Sequence, residues 1–268
     1  MPESFRQLPG SAPEGQWGFE DEEGNRLNGG EATFPILQNI GDNRYQFVGT
    51  GFFITDTGLF ATAKHVVEPF DQETLVAWQF LPNSEYLPRP IQALSCHHTC
   101  DVAVGKLVPA VDLENRLLIN NKHKLTTLSP PIGEHVATFA YPNTVIAATE
   151  IGQRLHFNPK FYEGRLEEYF PNGVGLLHGP CYRTSIMIHG GASGGPVASP
   201  SKPVFAINST GMNGMDVSHV SRIDEILSLS LTINYEDGQE FISIGELVRN
   251  GQITFDPPLP SDNIAVRQ

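Results

Sequence analysis

From Ala32 onward the chain is a succession of short runs rich in β-branched and aromatic residues, each cut off by a turn signal. ATFPIL, YQFVGTGFFIT, GLFATA, LVAWQF and VAVGKL come first; HVATFAYP, TVIAAT, GVGLLH, TSIMI, PVFAINS and VSHVSRI follow after a break. Strands this short and this numerous, without amphipathic helices between them, exclude alternating βαβ units. The pattern predicts an all-β chain closed as a barrel or packed as a sandwich. Thr55-Asp56-Thr57-Gly58, between two of the runs, predicts a tight hairpin turn with Gly58 supplying the unusual dihedral.

The break is a polar stretch bounded by Pro109 and Pro131, so residues 109–131 are expected to connect two halves, 31–108 and 132–235. Residues 1–30, rich in Gly, Pro, Glu and Asn, are expected to form an irregular arm. Two short helices are expected near the end. Ser221-Arg222-Ile223-Asp224 and Ser243-Ile244-Gly245-Glu246 both fit a capping box, the second with the preferred Glu, and residues 236–268 are expected as helix and tail.

Charge excludes some partners. The formal net charge of −13 argues against nucleic acid and against an anionic membrane surface, because both select clustered Lys and Arg. No apolar run approaches the roughly 18 residues that span a bilayer, and the opening MPESFRQLPGSAPEG lacks the basic and apolar regions of a secretory leader. Three cysteines, Cys96, Cys100 and Cys181, are too few and too odd for a disulfide framework, so a reducing compartment, the cytoplasm, is expected.

Three blocks carry chemistry. His189-Gly190-Gly191-Ala192-Ser193-Gly194-Gly195-Pro196-Val197 can present a serine on a tight glycine turn, with the Gly191 and Ser193 N–H groups as a pair of oxyanion donors. Taken alone, a glycine-rich surface loop explains it equally well. Leu59-Phe60-Ala61-Thr62-Ala63-Lys64-His65-Val66-Val67 places a histidine at the end of a strand, where a general base would be held rigidly. Cys100-Asp101-Val102-Ala103-Val104 opens an apolar strand with an aspartate, which is buried cheaply only when paired. A His Nδ1–H meets that need and fixes the ring tautomer. The chain order His65, Asp101, Ser193 is that of the chymotrypsin arrangement. Cys96-His97-His98-Thr99-Cys100 lacks a second ligand pair, so no metal is expected there, and no cofactor elsewhere.

GTGFFIT…FATAKHVV, CDVAVGKL and GGASGGPV resemble the three motif blocks of trypsin-like serine peptidases, and Gly133-Glu134-His135-Val136…Tyr141-Pro142 resembles the opening of their second barrel. The details are similar to the HtrA-type branch and its bacterial relatives, here without a PDZ domain, since few residues follow Ser230. The resemblance spans roughly residues 31–230 and implies a chymotrypsin-like fold: two six-stranded antiparallel β-barrels, 31–108 and 132–235, with short helices near the C-terminus. It implies a serine endopeptidase with His65, Asp101 and Ser193 as catalytic residues, an oxyanion hole from Gly191 and Ser193, and a protein or peptide as substrate. A regulatory protein partner is also open.

By position in that family, Ile186, Met187, Ile188 and His189 approach the base of the S1 pocket. Asn208, Ser209 and Thr210 lie on the strand that pairs with substrate, and Val217, Ser218 and His219 form the opposite wall. An apolar, restricted pocket favours Ala, Val or Leu at P1, while His219 leaves an acidic or Gln residue open. Two further readings compete: a catalytically silent domain of this fold used for binding, and an esterase-type hydrolase. Ala192 departs from the digestive members, which carry an aspartate there to receive a freshly cut N-terminus. Activation by that ion pair is therefore excluded.

Overall fold

The structure is a computed structural model and describes residues 19, 27, 29–81, 86–111, 115–149, 152–211, 217–235 and 238–259. After a single helical turn, α1 (Gly29–Ala32), six strands close the first barrel: β1 (Thr33–Asn39), β2 (Tyr45–Phe53), β3 (Leu59–Thr62), β4 (Leu75–Phe80), β5 (Tyr86–Cys96) and β6 (Ala103–Leu107). The one-turn helix α2 (Lys64–Val67) follows β3. The second half contains β7 (His135–Ala140), a hairpin of β8 (Val145–Thr149) and β9 (Gly152–His156), the long β10 (Lys160–Phe170), a small ribbon of β11 (Gly173–Val174) and β12 (Leu177–His178), then β13 (Cys181–Thr184), β14 (Pro196–Ser199), β15 (Lys202–Gly211) and β16 (Ser218–Arg222). Six of these, β7, β10, β13, β14, β15 and β16, close a second barrel. Counting strands from the first of each barrel, both close in the order 1-2-3-6-5-4, with every neighbouring pair antiparallel. The two-barrel architecture expected from the motif blocks is the one observed.

Apolar residues alternating along β1, β2 and β3 fill the first barrel. Phe34, Phe52, Phe53 and Phe60 are fully buried, and the Phe34 ring meets Phe53 at 4.7 Å and Phe60 at 5.5 Å. Each such ring contributes about 1.5–3 kcal/mol by leaving water. A smaller core of Val136, Leu166, Ile186, Val197, Phe205 and Val220 fills the second barrel. Tyr141 crosses between them: its ring packs against Phe139, and its hydroxyl donates to the Thr33 carbonyl at 2.9 Å. The connector is pinned to the first barrel by a buried cation. Arg89, 2% exposed, donates to Gln79 at 2.7 Å, to Asn120 at 2.9 Å and to the Val108 carbonyl at 3.0 Å.

The C-terminal expectations divide. Ser243 accepts the Glu246 N–H and caps α3 (Ile244–Arg249), as the capping box predicts. Ser221 caps nothing: it lies in β16 with its hydroxyl on Ser209, and the 3₁₀ turn Ile223–Ser228 begins after Arg222 without a side-chain cap. The chain beyond residue 235 begins not with a helix but with β18 (Gly238–Ser243), the return strand of a hairpin with β17 (Ser230–Tyr235). Most of the arm, 1–18, 20–26 and 28, lies outside the described residues. Among the described residues no helix is long and apolar enough to cross a membrane.

Candidate functional site

His65 is carried by α2, a helix too short to hold itself. Val66 and Val67 bury their side chains in the first barrel and fix the turn, leaving the His65 side chain 48% exposed at the barrel's edge. Asp101 comes from the loop between β5 and β6. That loop is shaped by His97, whose Nδ1 accepts the N–H groups of Thr99 at 3.1 Å and Cys100 at 2.8 Å, and by burial of Cys100 and Val102 on either side of the aspartate. The carboxylate reaches the His65 Nδ1 at 2.8 Å with one oxygen and at 3.1 Å with the other, and accepts the His65 backbone N–H at 2.9 Å. Burial pushes the Asp101 carboxyl up. The hydrogen bonds and charge of His65, with a hydrogen bond from Ser209, outweigh it and leave the pKa below the ordinary value. With Nδ1 facing two carboxylate oxygens, the ring proton belongs on Nδ1 and Nε2 presents a lone pair.

Ser193 lies in the turn between β13 and β14, so it comes from the second barrel. Gly191 and Gly194 have φ of +95° and +88°. A side chain at Gly191 would meet the Phe47 ring, and one at Gly194 would meet the Thr50 carbonyl, so both positions require glycine. The turn is stitched peptide by peptide. The Gly190 carbonyl accepts the Asn143 N–H at 3.1 Å. The Gly191 carbonyl accepts the Thr50 hydroxyl at 2.9 Å. The Ala192 carbonyl accepts the Gly195 N–H at 3.2 Å and the Asn208 amide at 3.3 Å. A trans peptide points its N–H opposite to its carbonyl. Holding the Gly190 and Ala192 carbonyls therefore aims the Gly191 and Ser193 N–H groups the other way, and neither has a hydrogen-bond partner among the described residues. The Ser193 hydroxyl donates to the Ser209 carbonyl at 3.0 Å rather than to His65.

The remaining predicted residues fall into two groups. Met187 is 48% exposed, His189 and Thr210 are exposed, and Ile188 and Val217 are half-buried. His189 stacks on Tyr162 at 5.9 Å. The others are interior. Ser209 is fully buried with its hydroxyl on Ser221 at 2.7 Å, and Asn208 is fully buried behind the nucleophile turn, donating to Thr138 at 2.6 Å. Ser218 is buried on Thr184 at 2.7 Å. His219, 5% exposed, packs near Phe170; burial and then the charge of Arg183 lower its pKa. Residues 212–216, between the two walls of the expected pocket, lie outside the described residues.

His97, Cys100 and Glu225 bring three donor atoms within 4.8 Å of one another. The chemistry of the set disfavours a metal ion. His97 Nδ1 accepts two backbone N–H groups, so Nε2 carries the proton and faces the Glu225 carboxylate at 3.8 Å. Burial, and then the charge of Glu225, raise the Cys100 thiol to about 12. Thr50, Phe47 and Asn143, which shape the nucleophile turn, are absent from the residues singled out in the sequence. Thr50 was visible there only as the middle of Gly49-Thr50-Gly51, and its hydroxyl's target is 141 residues away.

Comparison with known proteins bears on the family and the fold. The family profile for the trypsin-like peptidase domain matches residues 49–207, more than half of the chain. The active form of the Rv3671c protease from M. tuberculosis superposes with a TM-score of 0.53 at 16% identity, covering 74% of this chain and 78% of that one. Deg5 superposes with the same TM-score and identity, covering 74% and 86%. A search of curated proteins by sequence finds no match.

Proposed function

The chain belongs to the trypsin-like peptidase family, and we propose that it is a serine endopeptidase in which Ser193 attacks the peptide carbonyl, His65 moves the proton and Asp101 holds His65. In the resting site the Ser193 hydroxyl donates to Ser209. A rotation about its Cα–Cβ bond redirects it to the free Nε2 of His65, the tightening on substrate binding that such pairs undergo. His65 takes the Ser193 proton as the C–O bond forms and gives it to the leaving amine as the C–N bond breaks. Water then repeats the cycle on the acyl-enzyme. The carboxylate of Asp101, its pKa held below the ordinary value, stabilises the imidazolium without taking its proton.

The observation that carries this reading is the pair of unpartnered N–H groups of Gly191 and Ser193, aimed by peptides whose carbonyls are held. Each donor in comparable enzymes contributes about 3–4 kcal/mol to the oxyanion. The exposed Met187 and half-buried Ile188 and Val217 support a small or medium apolar P1 residue. The three free thiols support a reducing compartment such as the cytoplasm.

A fluorophosphonate probe tests the reading. The native protein is expected to label at Ser193, and the Ser193→Ala variant not at all. A folded wild-type chain that takes no label overturns it.

A further inference from the structure

The oxyanion donors belong to two peptides, and the peptide between them decides whether both point the same way. That middle peptide, Gly191–Ala192, has its N–H on the His189 carbonyl at 3.1 Å and its carbonyl on the Thr50 hydroxyl at 2.9 Å. The same hydroxyl oxygen accepts the Tyr141 N–H at 3.3 Å, which settles the direction of the proton: Thr50 donates to Gly191. The Thr50 backbone N–H also takes the Ser193 carbonyl, at 2.9 Å. Its own carbonyl accepts the Thr62 hydroxyl at 2.7 Å, which ties it to β3 immediately before α2 and His65. Thr50 is fully buried and sits on β2, in the first barrel, while the turn it grips is in the second.

We propose that Thr50 is a positioning residue for the oxyanion turn. Its hydroxyl is a neutral latch, supplied across the seam between the barrels, that holds the Gly191–Ala192 peptide so that the Gly191 and Ser193 N–H groups converge. It stands where an ion pair would otherwise be needed, because Ala192 has no carboxylate to anchor the turn and is itself fully buried. The inference rests on the peptidase reading above. A single flipped peptide would turn one donor away. Glycine at 190 and 191 makes such a flip sterically open, so an external hold is required.

Thr50→Val keeps the shape and removes only the hydroxyl, and Thr50→Ser restores it. The measurement is the second-order rate of Ser193 labelling by a fluorophosphonate, whose phosphoryl oxygen needs the same two donors. It is read beside kcat and KM on casein-derived peptides and beside the melting temperature. Thr50→Val is expected to label and turn over about 10–100-fold more slowly, the scale of a small misplacement of catalytic groups, with KM little changed and the melting temperature lowered by only several degrees, because the Tyr141 N–H and the Gly191 carbonyl lose their partner. Thr50→Ser is expected to recover to within a few-fold of wild type. Labelling by Thr50→Val at the wild-type rate, or a Thr50→Ser loss as deep as that of Thr50→Val, overturns the proposal. Thr50→Ala replaces Thr50→Val if the valine does not fold. Loss of fold in every variant makes Thr50 structural and overturns it equally. A wild-type chain that does not label at all strikes the peptidase reading itself, so the two failures are told apart.

Discussion

The Asp101 carboxylate grips His65 twice, through the ring Nδ1 at 2.8 Å and through the backbone N–H at 2.9 Å. One bond selects the tautomer and the other fixes the position of the residue that bears it. Asp101→Asn keeps the shape but offers an N–H where the ring needs an acceptor. It is expected to lower kcat by about 10⁴ with little change in KM, the size of the effect in the chymotrypsin triad. Because the folded pKa of Asp101 lies below its ordinary value, the carboxylate contributes stability above the carboxylate range and loses it as pH falls through the folded pKa. The variant should lose less stability on acidification than wild type in urea titrations.

Gly191 needs both its positive φ and the space beside Phe47. Gly191→Ala should displace the first oxyanion donor and lower kcat about 100-fold or more. The folded fraction, followed by near-ultraviolet dichroism, should stay close to wild type.

Arg89 is a buried cation satisfied by amide and carbonyl oxygens. Burial lowers its pKa to about 10. Arg89→Met leaves the Gln79 side-chain oxygen and the Val108 carbonyl without a donor, while Asn120 keeps the Gln79 amide, and should cost about 3 kcal/mol in a urea midpoint. Activity per folded molecule should stay intact, because the connector it pins lies away from the triad.

His123 is 2% exposed, with Nδ1 unpaired and Nε2 3.2 Å from the Thr33 hydroxyl. Burial drops its pKa to about 3. Below an unfolded value of 6.5, the unfolded chain takes up a proton that the folded chain refuses. Stability therefore falls with pH across that window, by about 1.4 kcal/mol per pH unit from this group. His123→Gln should flatten the acid limb of the stability curve.

A peptide-library cleavage profile should favour Ala, Val or Leu at P1. A dominant preference for Lys or Arg would contradict the apolar character of Met187, Ile188 and Val217.

The barrel strands legible in the sequence are those rich in apolar residues. β2, β3, β6 and β7 carry unbroken or alternating apolar residues and are read directly. β5 is broken by Pro88 and Pro90, and β10 by five charged residues, so neither has a strand's composition. Both are strands because neighbours on each side hold them in a closed barrel. TSIMI runs the other way: despite the apolar run Ile186-Met187-Ile188, the chain leaves β13 after Thr184 and serves as the approach to the nucleophile turn. At the site, the glycine turn and the His-Asp pair were visible because their chemistry demands rare local patterns. The Thr50 and Asn208 contacts were not, since a threonine and an asparagine in apolar strands look like ordinary interior polar residues until the fold says what they face.

The seam crossed by Thr50 also gives the protein a clock. His65 and the Asp101 that grips it are synthesised before residue 108 and belong to a barrel that closes on its own strands. Ser193 arrives much later, and its turn is held only once β14 and β15 have paired and Thr50 has found the Gly191 carbonyl. An emerging chain can display the base and its aspartate for as long as translation takes without being able to cut a neighbour. On the peptidase reading, the nucleophile joins the waiting base only at this last docking step.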